Sequence, residues 1–284
     1  MHTMVQDDDS EYDIDDGSYF KEGDLVDANG NSLTPQQAKD RVRDALAQDK
    51  RMASDAEVHR NCVRQPYPQG YHIDIPVYRT IVETDTNGGK TKKYELASEN
   101  AWEVSDAQEV TRWFKDQVSN AGENAKQLRK VVRLTKFYAR SRKAWKEKTG
   151  SGITITRLVC DEFIAVKDRD DQSLRDTWKR VHARLLRSLR VEHPVGDTPL
   201  AKEGDEKVAF LRDKLKEALD TLLVLDNDPT RGEARAAWDK VYDTNFFCKQ
   251  PSPSNGGDGE EKKSRFVVVD DRRDQRDDGG RRYG

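Results

Sequence analysis

Two aspartates separated by one apolar residue, Asp13-Ile14-Asp15, constrain this chain more than any other feature. On a strand, residues i and i+2 share a face, so both carboxylates project the same way. Two anions held that close repel each other unless a cation lies between them. A third acid, Asp74, follows 59 residues after Asp15, inside the alternating run Tyr71-His72-Ile73-Asp74-Ile75-Pro76-Val77. There Tyr71, Ile73, Ile75 and Val77 take one face, and His72 and Asp74 take the other. Aspartate is disfavoured in strands, so its position between two isoleucines asks for a reason. Neighbouring strands lie roughly 4.8 Å apart. Pairing of the two segments would therefore gather three carboxylates into an oxygen-rich site for one or two Mg²⁺ ions. Acidic pairs are also common in solvated loops, and Asp74 is what separates the two readings.

The charge distribution fits such a site. From Asp7 to Asp27 there are ten acidic residues and one lysine, Lys21, whereas Glu123 to Arg190 carries 19 Lys/Arg against 8 Asp/Glu. An acidic end suits a cation and a basic middle suits phosphate. The three cysteines, Cys62, Cys160 and Cys248, form no C-x-x-C pair, which argues against a disulfide framework or structural zinc and fits a reducing cytosol. No apolar run approaches membrane-spanning length and no signal-peptide core is present, so a cytoplasmic location with no membrane partner is expected. Charged residues make up 36% of the chain and hydrophobic ones 34%, so part of it is expected to lie outside any core.

Along the chain, strands are expected at Tyr12–Asp15 and Ser18–Phe20, around Asp16-Gly17. A turn-rich stretch from Asp24 to Asn31 follows. Thr34-Pro35 reads as an N-cap with a first-turn proline, opening a polar helix through about Ala47. Val58–Val63 and Tyr71–Tyr78 are the next strand candidates, separated by a loop from Gln65 to Gly70. A hairpin turning at Asn87-Gly88-Gly89 ends near Leu96. Beyond it the spacing turns helical. Leu128, Val131, Val132, Thr135 and Tyr138 share a face, with Trp145 further along it. Leu174, Trp178, Val181, Leu185 and Leu189 form a second stripe, and Val208, Leu211, Leu215, Leu219 and Leu222 a third. Arg231–Tyr242 is a shorter helix with Trp238 on its apolar face. The three tryptophans on these stripes read as core.

Tyr12-Asp-Ile-Asp-Asp-Gly followed by Tyr71-His-Ile-Asp-Ile-Pro-Val-Tyr resembles the bacterial cyclic GMP–AMP synthases and their relatives (CD-NTases) in antiphage CBASS operons. The resemblance implies an α+β fold: a polymerase-β-like nucleotidyltransferase palm with a small mixed sheet, plus a helical C-terminal lobe. It implies a metal triad of Asp13, Asp15 and Asp74 binding two Mg²⁺, or Mn²⁺. Leu128-Arg-Lys-Val-Val-Arg-Leu-Thr-Lys136 looks like the family's spine helix, whose lysine holds the triphosphate. Ser151-Gly152 matches a turn whose serine touches the same phosphates, and Arg64 matches an arginine that contacts nucleotide. Taken alone, Lys136 and Arg140 fit a solvated helix face, and Ser151 fits a plain turn residue. One departure is that the Gly-Ser motif the family carries shortly before its D-x-D is missing from the twelve residues ahead of Asp13. The expectation is a truncated N-terminus, which puts the activity of this chain in question.

The expected domains are a catalytic core at 1–115, a helical lobe at 116–249 and a disordered tail at 250–284. The implied activity joins two nucleoside triphosphates, ATP and GTP, into a cyclic dinucleotide with release of pyrophosphate, making a second messenger for antiphage defence. The alternative is a catalytically impaired nucleotide sensor of the same fold. A tail ending in Gly284 also resembles those that a ubiquitin-activating-like enzyme conjugates. The basic middle carries no recognised module for nucleic acid.

Overall fold

The computed structural model describes residues 13–49, 54–67, 71–84, 86, 88–105, 107–145 and 147–251, with Asp13 described in its backbone alone. The expected tail beyond Pro251, with Gly284, lies outside the described residues, as does the segment before Asp13. The chain divides into two compact units between Phe114 and Lys115.

The first unit is α+β. Its strands are β1 (Asp13–Asp15), β2 (Ser18–Lys21), β3 (Glu57–Val58), β4 (Val63–Pro66), β5 (His72–Ile75), β6 (Val77–Thr84), β7 (Lys90–Ala97) and β8 (Trp102–Val104). They form two mixed four-stranded sheets, ordered β1-β5-β4-β3 and β2-β6-β7-β8. The pairs β1/β5 and β2/β6 are parallel and the rest antiparallel. The same two stretches of chain thus run side by side through both sheets. Pro76 breaks one of them because it has no N–H to give the ladder. Its carbonyl nevertheless accepts from the Ser18 N–H, and the Asp16 N–H donates to the Asp74 carbonyl, both at 2.9 Å. Gly17 sits at the break in the other. A Cβ there would come within 3.1 Å of the Tyr19 ring and 3.3 Å of the Tyr78 ring, which stack on each other with centroids 4.7 Å apart.

Helix α1 (Pro35–Ala47) starts as its sequence predicts, with Thr34 and Gln37 closing a reciprocal capping box. It lays Ala38, Val42 and Leu46 on a core of Leu25, Leu33, Val63, Val77 and Ala97, with Ile75 packed against that core. One buried member of α1 is charged. Lys39 is 1% exposed, and its ammonium donates to the carbonyls of Arg60 at 2.8 Å, His59 at 3.1 Å and Ser98 at 3.3 Å. Three acceptors satisfy three donors, which is what a buried ammonium requires. This anchor corrects the expected single strand Val58–Val63. The chain reverses at 59–62, where the His59 N–H donates to the Cys62 carbonyl at 2.8 Å, and Val58 pairs with Val63 across the turn. The expected loop from Gln65 also begins too early, because Gln65 and Pro66 belong to β4. Gln69 and Gly70 lie outside the described residues.

The second unit is helical: α3 (Ala125–Arg140), α4 (Gly152–Glu162), α5 (Asp170–Arg187), α6 (Glu206–Thr221) and α7 (Arg231–Tyr242), with α2 (Ala107–Asn120) spanning the division. The predicted stripes supply its core. Trp178 is fully buried, its ring centroid 4.7 Å from that of Tyr138 and 6.3 Å from those of Trp238 and Tyr242. Trp145 lies in a separate 3-10 turn (Lys143–Trp145) yet still meets Tyr138 edge-on at 5.3 Å. Leu189 falls past the end of α5, and Leu222 opens a 3-10 turn after α6. No helix among the described residues is long and apolar enough to cross a membrane.

Candidate active site

Strand register sets two of the three sequence-predicted carboxylates, Asp15 and Asp74, side by side. Parallel β1 and β5 pair Asp13 with His72, Ile14 with Ile73 and Asp15 with Asp74. Residues in register on adjacent strands share a face, so the Asp15 and Asp74 side chains leave the sheet on the same side. Antiparallel β4 and β5 then set Arg64 opposite Asp74. The order across the sheet is therefore Asp15, Asp74, Arg64.

Asp74 is 8% exposed and carries a full fork. The Arg64 Nε donates to one carboxylate oxygen at 2.7 Å and Nη2 to the other at 2.8 Å. Burial pushes the Asp74 carboxyl up, but the Arg64 hydrogen bonds and charge, the His72 ring and the Cys62 thiol together hold it below the usual carboxylate value. Asp74 is thus an anion at neutral pH. Cys62 is the neighbour that sequence reading missed. Burial first, and the Asp74 charge second, push its thiol up to about 11, so it remains a thiol that donates to Asp74. The only hint was its position two residues before Arg64. A turn at 59–62 brings it to Asp74, and the local turn signal there is slight, a single Asn61 between two valine-ended stretches.

The donor set suits a hard divalent cation, since two carboxylates in register offer only oxygen. Among the described residues no three His, Cys, Asp or Glu groups converge as a metal set, and the Asp13 side chain lies outside that description.

A second cluster forms in the helical unit. Helical spacing alone puts Lys136 on a solvated face with Arg140; the structure corrects this for Lys136, which is 8% exposed, whereas Arg140 one turn on is exposed. Ser151 is not a simple turn residue: it N-caps α4, accepting from the Thr154 N–H at 3.3 Å. A Cβ on Gly152 would lie 3.5 Å from the Lys136 Nζ, so the ammonium sits against the first residue of α4. Burial, and then the nearby Arg140 charge, lower Lys136 to about 8. A helix N-terminus and a cation at one point favour an anion.

Residues 1–78 match the family model described as "Cyclic GMP-AMP synthase DncV-like, nucleotidyltransferase domain". Over that stretch the chain is similar to a DncV-like nucleotidyltransferase domain. The matched stretch of that domain contains Asp13, Asp15, Arg64 and Asp74. Solved structures extend the likeness through the helical unit. Vibrio cholerae DncV cyclic AMP-GMP synthase with nonhydrolyzable GTP aligns at TM-score 0.64 and 20% identity over 85% of this chain and 65% of that one. The same enzyme with the linear intermediate 5′ pppA(3′,5′)pG gives 0.61 and 19%, over 85% and 66%. Escherichia coli DncV bound to 3′-deoxy GTP gives 0.60 and 22%, over 84% and 64%. The DncV-like fold is thus shared along most of this chain, which spans about two thirds of the length of those structures.

Proposed function

We propose that the chain is a metal-dependent nucleotidyltransferase that makes a cyclic dinucleotide, with residues 1–115 as catalytic core and 116–249 as helical lobe. The observation that carries this reading is the register of Asp15 against Asp74 on two adjacent parallel strands. Asp13, Asp15 and Asp74 would hold Mg²⁺ or Mn²⁺, which when bound would lower the pKa of an acceptor hydroxyl and offset charge on the leaving pyrophosphate. The reaction forms a bond from the acceptor's 3′ or 2′ oxygen to the α-phosphorus of the donor and breaks the bond to pyrophosphate. Lys136 and the N-terminus of α4 with Ser151 would neutralise the donor triphosphate. Arg64 would meet nucleotide phosphate. ATP and GTP are the proposed substrates, by analogy with the compounds bound to the DncV structures. In this reading the product serves antiphage defence in the cytoplasm.

The test is incubation with all four radiolabelled nucleoside triphosphates and Mg²⁺ or Mn²⁺, then phosphatase and chromatography. A phosphatase-resistant product is expected. Nucleotide binding with no product would instead favour the nucleotide-sensor reading.

The lowered Lys136 gives a pH signature. Near pH 9 the free lysine, at about 8, is mostly neutral. A triphosphate beside it favours the charged form, so binding takes up a proton, approaching about one at that pH. Calorimetry in two buffers of different ionisation enthalpy should show this uptake in the native chain and lose it in Lys136→Met. Equal uptake in both would remove Lys136 from the phosphate site.

A further inference from the structure

We infer that Arg64 is a built-in counter-ion for Asp74, competing with divalent cations for that carboxylate and leaving it only when metal and nucleotide phosphate arrive together. The inference rests on the proposed metal role of Asp74. Both Asp74 oxygens accept from the Arg64 fork, at 2.7 and 2.8 Å. A divalent cation approaching from the fork side would meet a guanidinium charge at contact distance from its ligand, and two like charges cannot share that position.

The surroundings allow the side chain to move while its backbone stays. Arg64 is paired through Glu57 on one side and Asp74 on the other, so β4 is an interior strand at that point. The turn before β4 is pinned by Lys39 through the His59 and Arg60 carbonyls. The Arg64 side chain is 31% exposed against 12% for that of Asp74. Water can therefore reach the guanidinium, and swinging it out strands no fully buried charge. The carboxylate it leaves behind does need a replacement cation, because breaking a buried pair from one side is what costs. A metal–nucleotide complex supplies both halves of the exchange: a cation for Asp74 and phosphate oxygens for the freed fork, which suits phosphate bidentately. Metal alone supplies only one.

The test is Mn²⁺ binding to the full chain without nucleotide, read from the electron paramagnetic resonance signal of free Mn²⁺. Arg64→Gln should bind Mn²⁺ about tenfold more tightly than the native chain, the scale of coupling expected for a close charge pair. Arg64→Lys, which keeps the charge but loses the fork, should fall between them and guards against a folding defect in the first variant. Arg60→Gln removes an equal charge from the neighbouring turn, where Arg60 faces Glu99 rather than Asp74, and should change affinity less than twofold. Native-like affinity in Arg64→Gln, with binding still lost in Asp74→Asn, would overturn the counter-ion and leave the metal site standing. Mn²⁺ binding indifferent to Asp74→Asn would overturn both. A gain in Arg60→Gln equal to that in Arg64→Gln would reduce the effect to net charge and overturn the inference.

Discussion

Asp15→Asn and Asp74→Asn should each lower the proposed nucleotidyl transfer by about a thousandfold or more, the scale on which removing charge stabilisation from a phosphoryl-transfer site acts. The two carboxylates are in register on adjacent strands, and an amide offers a neutral oxygen where a divalent cation needs an anionic one. The substitutions preserve shape, so the fold should survive. Asp15 is exposed, and its change should leave the melting temperature nearly unaltered. Asp74→Asn uncouples the Arg64 pair, but that guanidinium is 31% exposed and water can take its donors, so the stability loss should stay near about 1 kcal/mol. The measurement is product yield at saturating nucleotide alongside a thermal melt. Retained turnover in either folded variant would remove that carboxylate from the proposed site.

Trp178→Ala should cost the helical unit about 4 kcal/mol, the usual scale for deleting a buried large aromatic. Trp178 has no exposed surface, and the rings of Tyr138, Trp238 and Tyr242 surround it. Its indole N–H donates to the Thr135 hydroxyl at 2.8 Å, which in turn donates to the Val131 carbonyl at 2.8 Å. Alanine would leave a cavity walled by rings that cannot collapse freely, and would strip a buried hydroxyl of its donor. Trp178→Phe should fall between the two, because it restores most of the volume and none of the hydrogen bond. Denaturant unfolding followed by circular dichroism reads both. A loss below about 1 kcal/mol for alanine would mean that the site repacks and is not the centre of that core.

The helical unit was the more legible half. Its stripes repeat at helical spacing, and burial follows them: Leu128, Val131, Leu174, Val181, Leu211 and Leu215 are all buried as the periodicity predicts. The start of α1 was equally readable, because Thr34, Pro35 and Gln37 act within one turn. The reversal at 59–62 was not. Val58 and Val63 are β-branched at both ends, and no glycine or proline marks the turn between them. The ammonium that holds it comes from Lys39, 20 and 21 residues earlier.

The same division runs through the site. Local order along the chain was enough to select the carboxylates, since the alternation around Ile14 and Ile73 assigns Asp15 and Asp74 to strand faces whatever those strands pair with. It also placed Lys136 on a helix, without saying which way that helix turns, and it read Ser151 as a turn residue, missing the helix that Ser151 caps. Only the tertiary structure decided that β1 lies parallel to β5 in the register that sets Asp15 against Asp74, that Arg64 grips Asp74, that Cys62 comes round to the same carboxylate, and that Lys136 is buried against α4 rather than solvated. Periodicity is a property of neighbours in sequence and acts through backbone geometry. Charge pairing and desolvation depend on which distant segments share a surface, and that is settled when the strands and helices pack.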